Sequence, residues 1–308
     1  MQLKTKKQEW KHDMNRTATI VPVIAALVKA EEILGKDRVW RAISHPQKEF
    51  LTKYFVKRGE LSKLSPKELR SWVDTVADRL NEVLRNEGFS IQLDKFKEDE
   101  FGVVAILDVI VEWLVTGEKV TIRTGAGKEY PGVRLESRNG GTGTFIVTQS
   151  PNHPHPIGMV FTKSGDTVCM TIANRPLSDF QLLSKITDLE IGTVPPDYYK
   201  TLTFPMVSLD ETVDIAWLLE MATRDEKCHP WLISQAEQQT KFKMNETGAR
   251  VKSAVAIGVM RGISLHKTNH MVIDKPFFIW IKRSGMDLPI FAAYLNEDVW
   301  QDPGNLDL

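Results

Sequence analysis

The residues able to do chemistry are few, and their spacing does not favour catalysis. His153-Pro154-His155-Pro156 sets two imidazoles two residues apart. A metal centre wants three or four converging ligands, and no cysteine or carboxylate cluster accompanies this pair. It reads as a stiff surface loop. Thr124-Gly125-Ala126-Gly127-Lys128 approaches a phosphate-binding loop. That pattern needs four residues between its glycines, then Lys and Ser or Thr ahead of a helix. Here Glu129 follows, and Tyr130-Pro131 denies the helix, so a hairpin turn is expected. Asp108 and Glu112 lie one helical turn apart and could act as acid and base, but no His, Lys or Arg matches their spacing. A polar stripe on a buried helix is the simpler reading. Cys228-His229 is adjacent and followed by Pro230; neighbours in sequence rarely reach nucleophile–base geometry. No Gly-x-Ser-x-Gly elbow occurs. No enzyme, cofactor or metal is expected.

A pattern of another kind follows Gly248. Alternate residues of a strand face opposite sides. One set here is Ala249, Val251, Ser253, Val255, Ile257 and Val259, all small or apolar. The other is Arg250, Lys252, Ala254, Ala256, Gly258 and Met260. Such a segment has one side fit for burial and one fit for water, as a strand entering or occupying a sheet must.

Bulk properties narrow the partners. The 308 residues are 42% apolar and 26% charged, with 40 basic and 40 acidic side chains. A formal net charge of zero recruits neither nucleic acid nor an anionic membrane. Lys4, Lys6, Lys7 and Lys11 are diluted by Glu9 and Asp13. The longest apolar run, Val103 to Val115, is broken by Asp108 and Glu112 and falls short of the roughly 20 residues a bilayer span needs. Two cysteines, Cys169 and Cys228, make no disulfide framework, and no signal segment opens the chain. A soluble, cytoplasmic protein is expected, with a protein partner and no nucleic acid, membrane or small-molecule substrate.

The elements that would position these residues change character along the chain. Ile20 to Leu34 has helical apolar spacing, and Gly35 can stop it. Ser65-Pro66-Lys67-Glu68 has the form of a capping box, predicting a helix that buries Leu69, Trp72, Val73, Val76, Leu80, Val83 and Leu84 and ends at Gly88. Phe89 to Leu93 alternates like a strand. A second long helix is expected over Glu98 to Val115. After Gly117, strands are expected at Val120–Arg123, Gly132–Glu136, Thr144–Val147, Met159–Phe161, Val168–Ile172, Leu202–Val207, Phe277–Ile281 and Ile290–Tyr294, with a short helix at Ser178–Ile186. Pro205 belongs near an edge or bulge. One α+β domain over 1–308 is expected, mainly helical over 1–118 and mainly β over 119–308.

The C-terminal third resembles the serpins. Lys241-Phe242-Lys243-Met244-Asn245-Glu246-Thr247-Gly248-Ala249 looks like the end of the serpin strand that leads into the reactive loop, where a Glu stands two residues before a hinge Gly. Ile273-Asp274-Lys275-Pro276-Phe277-Phe278-Ile279-Trp280-Ile281 is similar to the family's Pro-Phe-aromatic strand. Leu288-Pro289-Ile290-Phe291-Ala292-Ala293-Tyr294-Leu295 falls where its closing strand belongs. Upstream, Phe204 to Leu209 with a helix-like Val213 to Met221, the hairpin Lys163 to Met170, and Ile20 to Leu27 resemble the family in order. The chain is several tens of residues shorter than a usual serpin core, and the family's Asn-Ala-x-Tyr-Phe-Lys-Gly-x-Trp signature is not found between Val115 and Val133.

The resemblance implies a serpin-like fold, a helical N-terminal part packed on a large β-sheet with smaller C-terminal sheets. It also implies a function: binding, and in the stronger version inhibiting, a serine or cysteine protease through a reactive-loop-like segment at 248–270. Its hinge would be Glu246, Gly248, Ala249, Val251 and Ser253. Arg261-Gly262 would be the scissile bond, with Lys267 the runner-up. Family inhibitors insert the cleaved loop into the large sheet. Fast inhibitors carry small residues through the hinge. Val251 is β-branched, and ordering Lys252 costs up to roughly 2 kcal/mol of side-chain entropy. Two alternatives stay open: a non-inhibitory protein–protein interaction module on the same fold, and a segment 251–259 that is a built-in strand.

Overall fold

The computed structural model describes residues 16–137, 144–194, 199–249 and 269–307. Strand β1 (Arg16–Thr17) leads into helix α1 (Val21–Leu34), whose Pro22 sits in the first turn, where no backbone donor is lost. The chain leaves α1 at Gly35 with φ 93°, a conformation open to glycine. Helix α2 (His45–Glu49), capped by Ser44, widens through Phe50–Tyr54 and tightens over Phe55–Lys63. Then come β2 (Leu69–Asp74), α3 (Ala77–Asn86), β3 (Gly102–Leu107), β4 (Val111–Glu112), β5 (Glu118–Arg123), β6 (Glu129–Glu136), β7 (Phe145–Thr148), β8 (Ile157–Phe161) and β9 (Thr167–Ile172). Helix α4 (Asp179–Glu190) precedes β10 (Tyr199–Pro205), β11 (Val207–Val213), β12 (Ala222–Arg224), β13 (Pro230–Leu232), β14 (Gln238–Met244) and β15 (Gly248–Ala249). After residue 268 follow β16 (Asn269–Val272), β17 (Phe277–Lys282) and β18 (Phe291–Leu295).

Two helices expected in the first part are strands. Leu69–Asp74 pairs antiparallel with Gly102–Leu107, from Leu69 opposite Leu107 to Asp74 opposite Gly102. Helix α3 therefore begins only at Ala77. Half of the predicted capping box does form: the Ser65 N–H donates to Glu68 Oε2 at 2.8 Å. It closes a turn rather than opening a helix, because the other Glu68 interactions come from a distant residue, Arg283. The run 103–115 holds β3 and the short β4 in place of a helix, and in β3 the residues alternate in burial: Val104 and Ile106 are buried, while Val103, Ala105 and Leu107 are half-buried. Periodicity in so short an apolar run does not separate strand from helix, and pairing with β2 decides it. The described part of 1–118 thus carries strands β2, β3 and β4 among its helices. Phe89–Leu93 is extended but unpaired, and Val213–Met221 shortens to a 3-10 turn at Ala216–Leu218. The strands expected after Gly117 form, except that Leu202–Val207 breaks at Met206 into β10 and β11 of different sheets, with Pro205 closing β10 opposite Gly132. The Asn139-Gly140-Gly141 turn lies outside the described residues.

The main sheet has six antiparallel strands in the order β1-β18-β17-β9-β8-β7. A second sheet runs β16-β10-β6-β5, a third β11-β14-β15-β4, and β2-β3 and β12-β13 form two-stranded ribbons. Helix α1 packs on β2 and β3. A large core runs through Trp280, Phe277, Phe278, Phe204 and Trp113, all essentially inaccessible, and a smaller second cluster joins Leu80 and Leu84 of α3 to Val104 and Ile106 of β3.

A buried ionic junction ties three turns together. Arg283, just past β17, donates to Asp166 Oδ1 and Oδ2 at 2.9 Å each. It also donates to Glu68 Oε1 at 2.7 Å and Oε2 at 3.1 Å. Burial alone would raise the Glu68 carboxyl; the hydrogen bonds from Arg283 and Ser65 overturn that and hold it below its ordinary value. Removing one partner of such a buried group leaves uncompensated charge. Arg283→Met is expected to lower stability by about 3–5 kcal/mol at pH 7, measured by urea unfolding. A folded-state carboxyl pKa below the unfolded value stabilises above the unfolded pKa and ceases to as pH falls. The deficit of Arg283→Met should therefore shrink toward pH 4.

Glu211 on β11 behaves oppositely. Burial pushes its carboxyl up to about 7, and nearby Asp179 adds to the rise. The folded state then loses stability as pH climbs from 5 to 8. Glu211→Gln is expected to raise the melting temperature at pH 8 and leave it little changed at pH 5.

Candidate functional site

The isolated reactive residues are all accounted for structurally. His153 is buried with its Nε2 2.8 Å from the Ile172 carbonyl, edge-on to His155 at 5.6 Å, and burial holds its pKa below the ordinary value. No group of three metal-ligating side chains exists among the described residues. Thr124–Lys128 is the hairpin turn between β5 and β6, closed by the Thr124 N–H on the Lys128 carbonyl at 2.9 Å. Asp108 and Glu112 are not on a helix. Asp108 lies 3.9 Å from Arg70, and Glu112 pairs with Lys163 at 2.8 Å. His229 Nδ1 turns to Asp225 at 3.1 Å rather than to the exposed Cys228.

What the fold does build is a strand seat at Gly248–Ala249. Strand β14 runs antiparallel to β11, with Val207 opposite Met244, and buries Gln238, Thr240, Phe242 and Met244 in strict alternation. It ends in a tight turn. Asn245 Oδ1 accepts from the Thr247 N–H at 2.9 Å and the Thr247 hydroxyl at 2.7 Å, and the Asn245 N–H donates to the Gly248 carbonyl at 2.9 Å. The chain thereby doubles back. Ala249 lies opposite Met244 on one side; on the other, Gly248 lies opposite Glu112 and Ala249 opposite Val111. Both pairings are antiparallel, so Gly248–Ala249 are the first residues of a strand held between β14 and β4.

The seat is specific for these residues. A Cβ on Gly248 would stand 2.1 Å from the Val111 carbonyl oxygen, so only glycine fits. Ala249 is completely buried. Trp113 braces the turn: its indole Nε1 donates to the Asn245 carbonyl at 2.9 Å, and its backbone N–H donates to the Thr247 carbonyl at 3.0 Å. Its ring meets Phe204 edge-on at 5.8 Å. The Gly117 N–H holds the Glu246 carbonyl at 2.7 Å, and Lys119 Nζ lies 3.5 Å from the Glu246 carboxylate.

Beyond Ala249 lies a slot. Strands β3 and β14 belong to separate ladders among the described residues. A cavity of about 500 Å³ occupies this region, lined by Leu27 and Leu34 of α1, Val104 and Ile106 of β3, Phe242 of β14, and Trp231. Phe89–Asp94 lies against its β14 side. The Ser90 N–H donates to Gln239 Oε1 at 2.8 Å, and the Asp94 N–H donates to Gln235 Oε1 at 2.7 Å.

Of the residues singled out in the sequence, Glu246, Gly248 and Ala249 come together at the head of this slot. Val251, Ser253, Arg261, Gly262 and Lys267 lie outside the described residues. Asn245, Val111 and Trp113 were missed. Asn-x-Thr is a signal for the side-chain-closed turn, but Val111 and Trp113 were hidden in a segment that reads as helix.

No protein-family model and no curated protein matches this chain. Solved structures do. Serpin48 from the insect Tenebrio molitor, described as a highly specific serpin, superposes with a TM-score of 0.52 at 15% identity, over 92% of each chain. Human thyroxine-binding globulin, in complex with its hormone, superposes with a TM-score of 0.53 at 11% identity, over 92% of this chain and 91% of that one. The fold is therefore serpin-like and of the α+β class.

Gly248→Ala tests the seat. The added methyl meets backbone rather than a yielding side chain. A cost of about 1–3 kcal/mol is expected, seen as a lower melting temperature with faster amide exchange at Trp113 and Gly117.

Proposed function

We propose that this chain is a serpin-like protein that binds a serine or cysteine protease through the segment 248–270 and traps it when that segment is cut. The observation that carries this reading is the seating of Gly248–Ala249 between β14 and β4, in line with the slot beside β3. The chain needs no new turn to lengthen that strand. Because Ala249 is buried, Val251, Ser253, Val255, Ile257 and Val259 share its phase, and Arg250 and Lys252 take the other face. A lengthened β15 would bond on both edges, to β14 and to β3, and cover apolar surface of α1. Arg261-Gly262 is the bond we assign as scissile, suited to a trypsin-like pocket, with Lys267 second. In this reading the whole chain is one domain and acts by binding rather than catalysis, without a cofactor.

A second reading is favoured by Phe89–Asp94, which the Gln239 and Gln235 side chains hold against the slot. Together with the β-branched Val251 and the long Lys252, this brake would slow strand entry and leave a non-inhibitory interaction module. No helix among the described residues is long and apolar enough to cross a membrane, and Cys169 and Cys228 are both free thiols. We place the protein in the reducing cytoplasm.

Incubation with trypsin-like proteases, followed by a denaturing gel, separates the two readings. The inhibitor yields a covalent adduct, lost in Arg261→Ala if that bond is the one cut. Clean cleavage with no adduct from any protease overturns trapping. Melting of the cleaved chain then decides on the slot: a rise of tens of degrees marks strand entry, and an unchanged value leaves the binding module.

A further inference from the structure

The segment after β18 crosses the hinge turn, and its contacts form a set. Trp300, buried between Tyr130 at 5.3 Å and Phe277 at 6.1 Å, anchors its start. Gln301 Nε2 then donates to the Ser208 carbonyl of β11 at 3.3 Å. Asp302 Oδ2 accepts from Lys119 Nζ at 3.1 Å, and the same ammonium faces hinge Glu246 at 3.5 Å. Asn245 Nδ2 donates to the Gly304 carbonyl at 2.9 Å. Lys243 Nζ donates to the Asp307 carbonyl. The segment is folded on itself by the Gly304 N–H on Asp302 Oδ1 at 2.8 Å and by Asn305 Nδ2 on Asp307 Oδ2 at 2.7 Å.

Asn245 is the joint between the two structures. Its Oδ1 accepts both Thr247 donors and so closes the turn, while its Nδ2 is held by Gly304. One planar amide cannot rotate without losing both sets. A group that fixes the Nδ2 end therefore fixes the turn at the Oδ1 end. Lys119 makes a second, ionic joint between Glu246 and Asp302.

We propose that Gln301–Asp307 is a regulatory strap. By orienting Asn245 and Lys119, it holds the turn that seats Gly248–Ala249 between β4 and β14, and a partner or modification that lifts it releases the hinge. Its meaning for protease trapping rests on the function proposed above; its action on the turn does not.

Amide hydrogen exchange on the uncleaved chain tests this. A chain ending at Gln301 is compared with the full chain. Exchange at Asn245, Trp113 and Gly117, whose N–H groups bond across the turn, should quicken about tenfold, the size expected from losing one or two side-chain hydrogen bonds. The β9–β17 ladder should be unchanged. Rates at the turn within twofold of the full chain overturn the proposal. So does an equal rise in β9–β17, which would make the segment a general stabiliser. If the shortened chain does not fold, the double variant Asp302→Ala/Lys243→Met keeps the segment and removes two of its ties. It should quicken the same three amides at least threefold, and no change there overturns the proposal. Because exchange is read without a protease, failure of adduct formation leaves this result standing, and the reverse also holds.

Discussion

The reversal of the chain at Asn245–Thr247 is the constraint on which the candidate site depends. A strand that leaves a sheet can continue into solvent or double back. Here the Asn245 side chain supplies the acceptor that two donors of Thr247 need, and the indole of Trp113 takes the Asn245 carbonyl. Buried backbone groups must be paired, and each of these bonds replaces one the turn would otherwise lose. Once the turn is set, Gly248 has to pass the Val111 carbonyl at a distance no side chain allows, and Ala249 drops into the core. Three consecutive features of the chain, an amide, a glycine and a small apolar residue, thus answer one geometric demand.

That demand is met by segments far apart in sequence. Val111 and Trp113 follow β3, Phe204 closes the far side of the indole, and β14 comes after two further sheets. The Arg283 junction serves the same architecture at a distance. It pins the turn that launches β2, the turn between β8 and β9, and the end of β17 by a single guanidinium. With β2 fixed, its partner β3 is fixed too, and β3 is one wall of the slot. A buried ion pair adds little net stability over an apolar substitute; its contribution here is positional, because three turns must meet wherever the fork of donors is satisfied.

The β-rich part was legible because its signals are local. The continuous apolar run Phe277–Ile281 and the Ser164-Gly165-Asp166 turn need no distant partner to be read. Glu246, Gly248 and Ala249 stood out for a different reason: they match a resemblance, and the alternation after them fits a strand. The first part misled because its signals are shared by two structures. Ser65-Pro66-Lys67-Glu68 makes a turn as readily as a helix start, and only the long-range bond of Glu68 to Arg283 settles which. Val103 to Val115 is apolar enough for a buried helix, yet its burial alternates with period two once β2 lies beside it. Trp113 was thereby assigned to a helix, and the brace of the hinge was lost from view with it.

The slot itself poses a question of balance. Among the described residues β3 and β14 share no ladder, and unpaired strand edges beside a cavity are an invitation to another strand. The molecule meets it at two points. Gly248–Ala249 fill one end with backbone pairing on both sides, and Gln239 and Gln235 turn their amides outward to hold Phe89–Asp94 against the β14 side. In the proposed reading the first device would draw a strand in and the second would stand in its way. Side-chain amide bonds are individually modest, with net contributions of about 1 kcal/mol each, whereas each added residue of a paired strand gains ladder bonds on two edges and buries a side chain on one face. Lengthening the strand by a few residues would therefore outweigh the loss of the clamps, provided the chain is free to move through the turn. In the proposed reading the height of the barrier would lie in the turn and in the Gln clamps and the depth of the final state in the slot, which would separate how fast a strand enters from how firmly it stays.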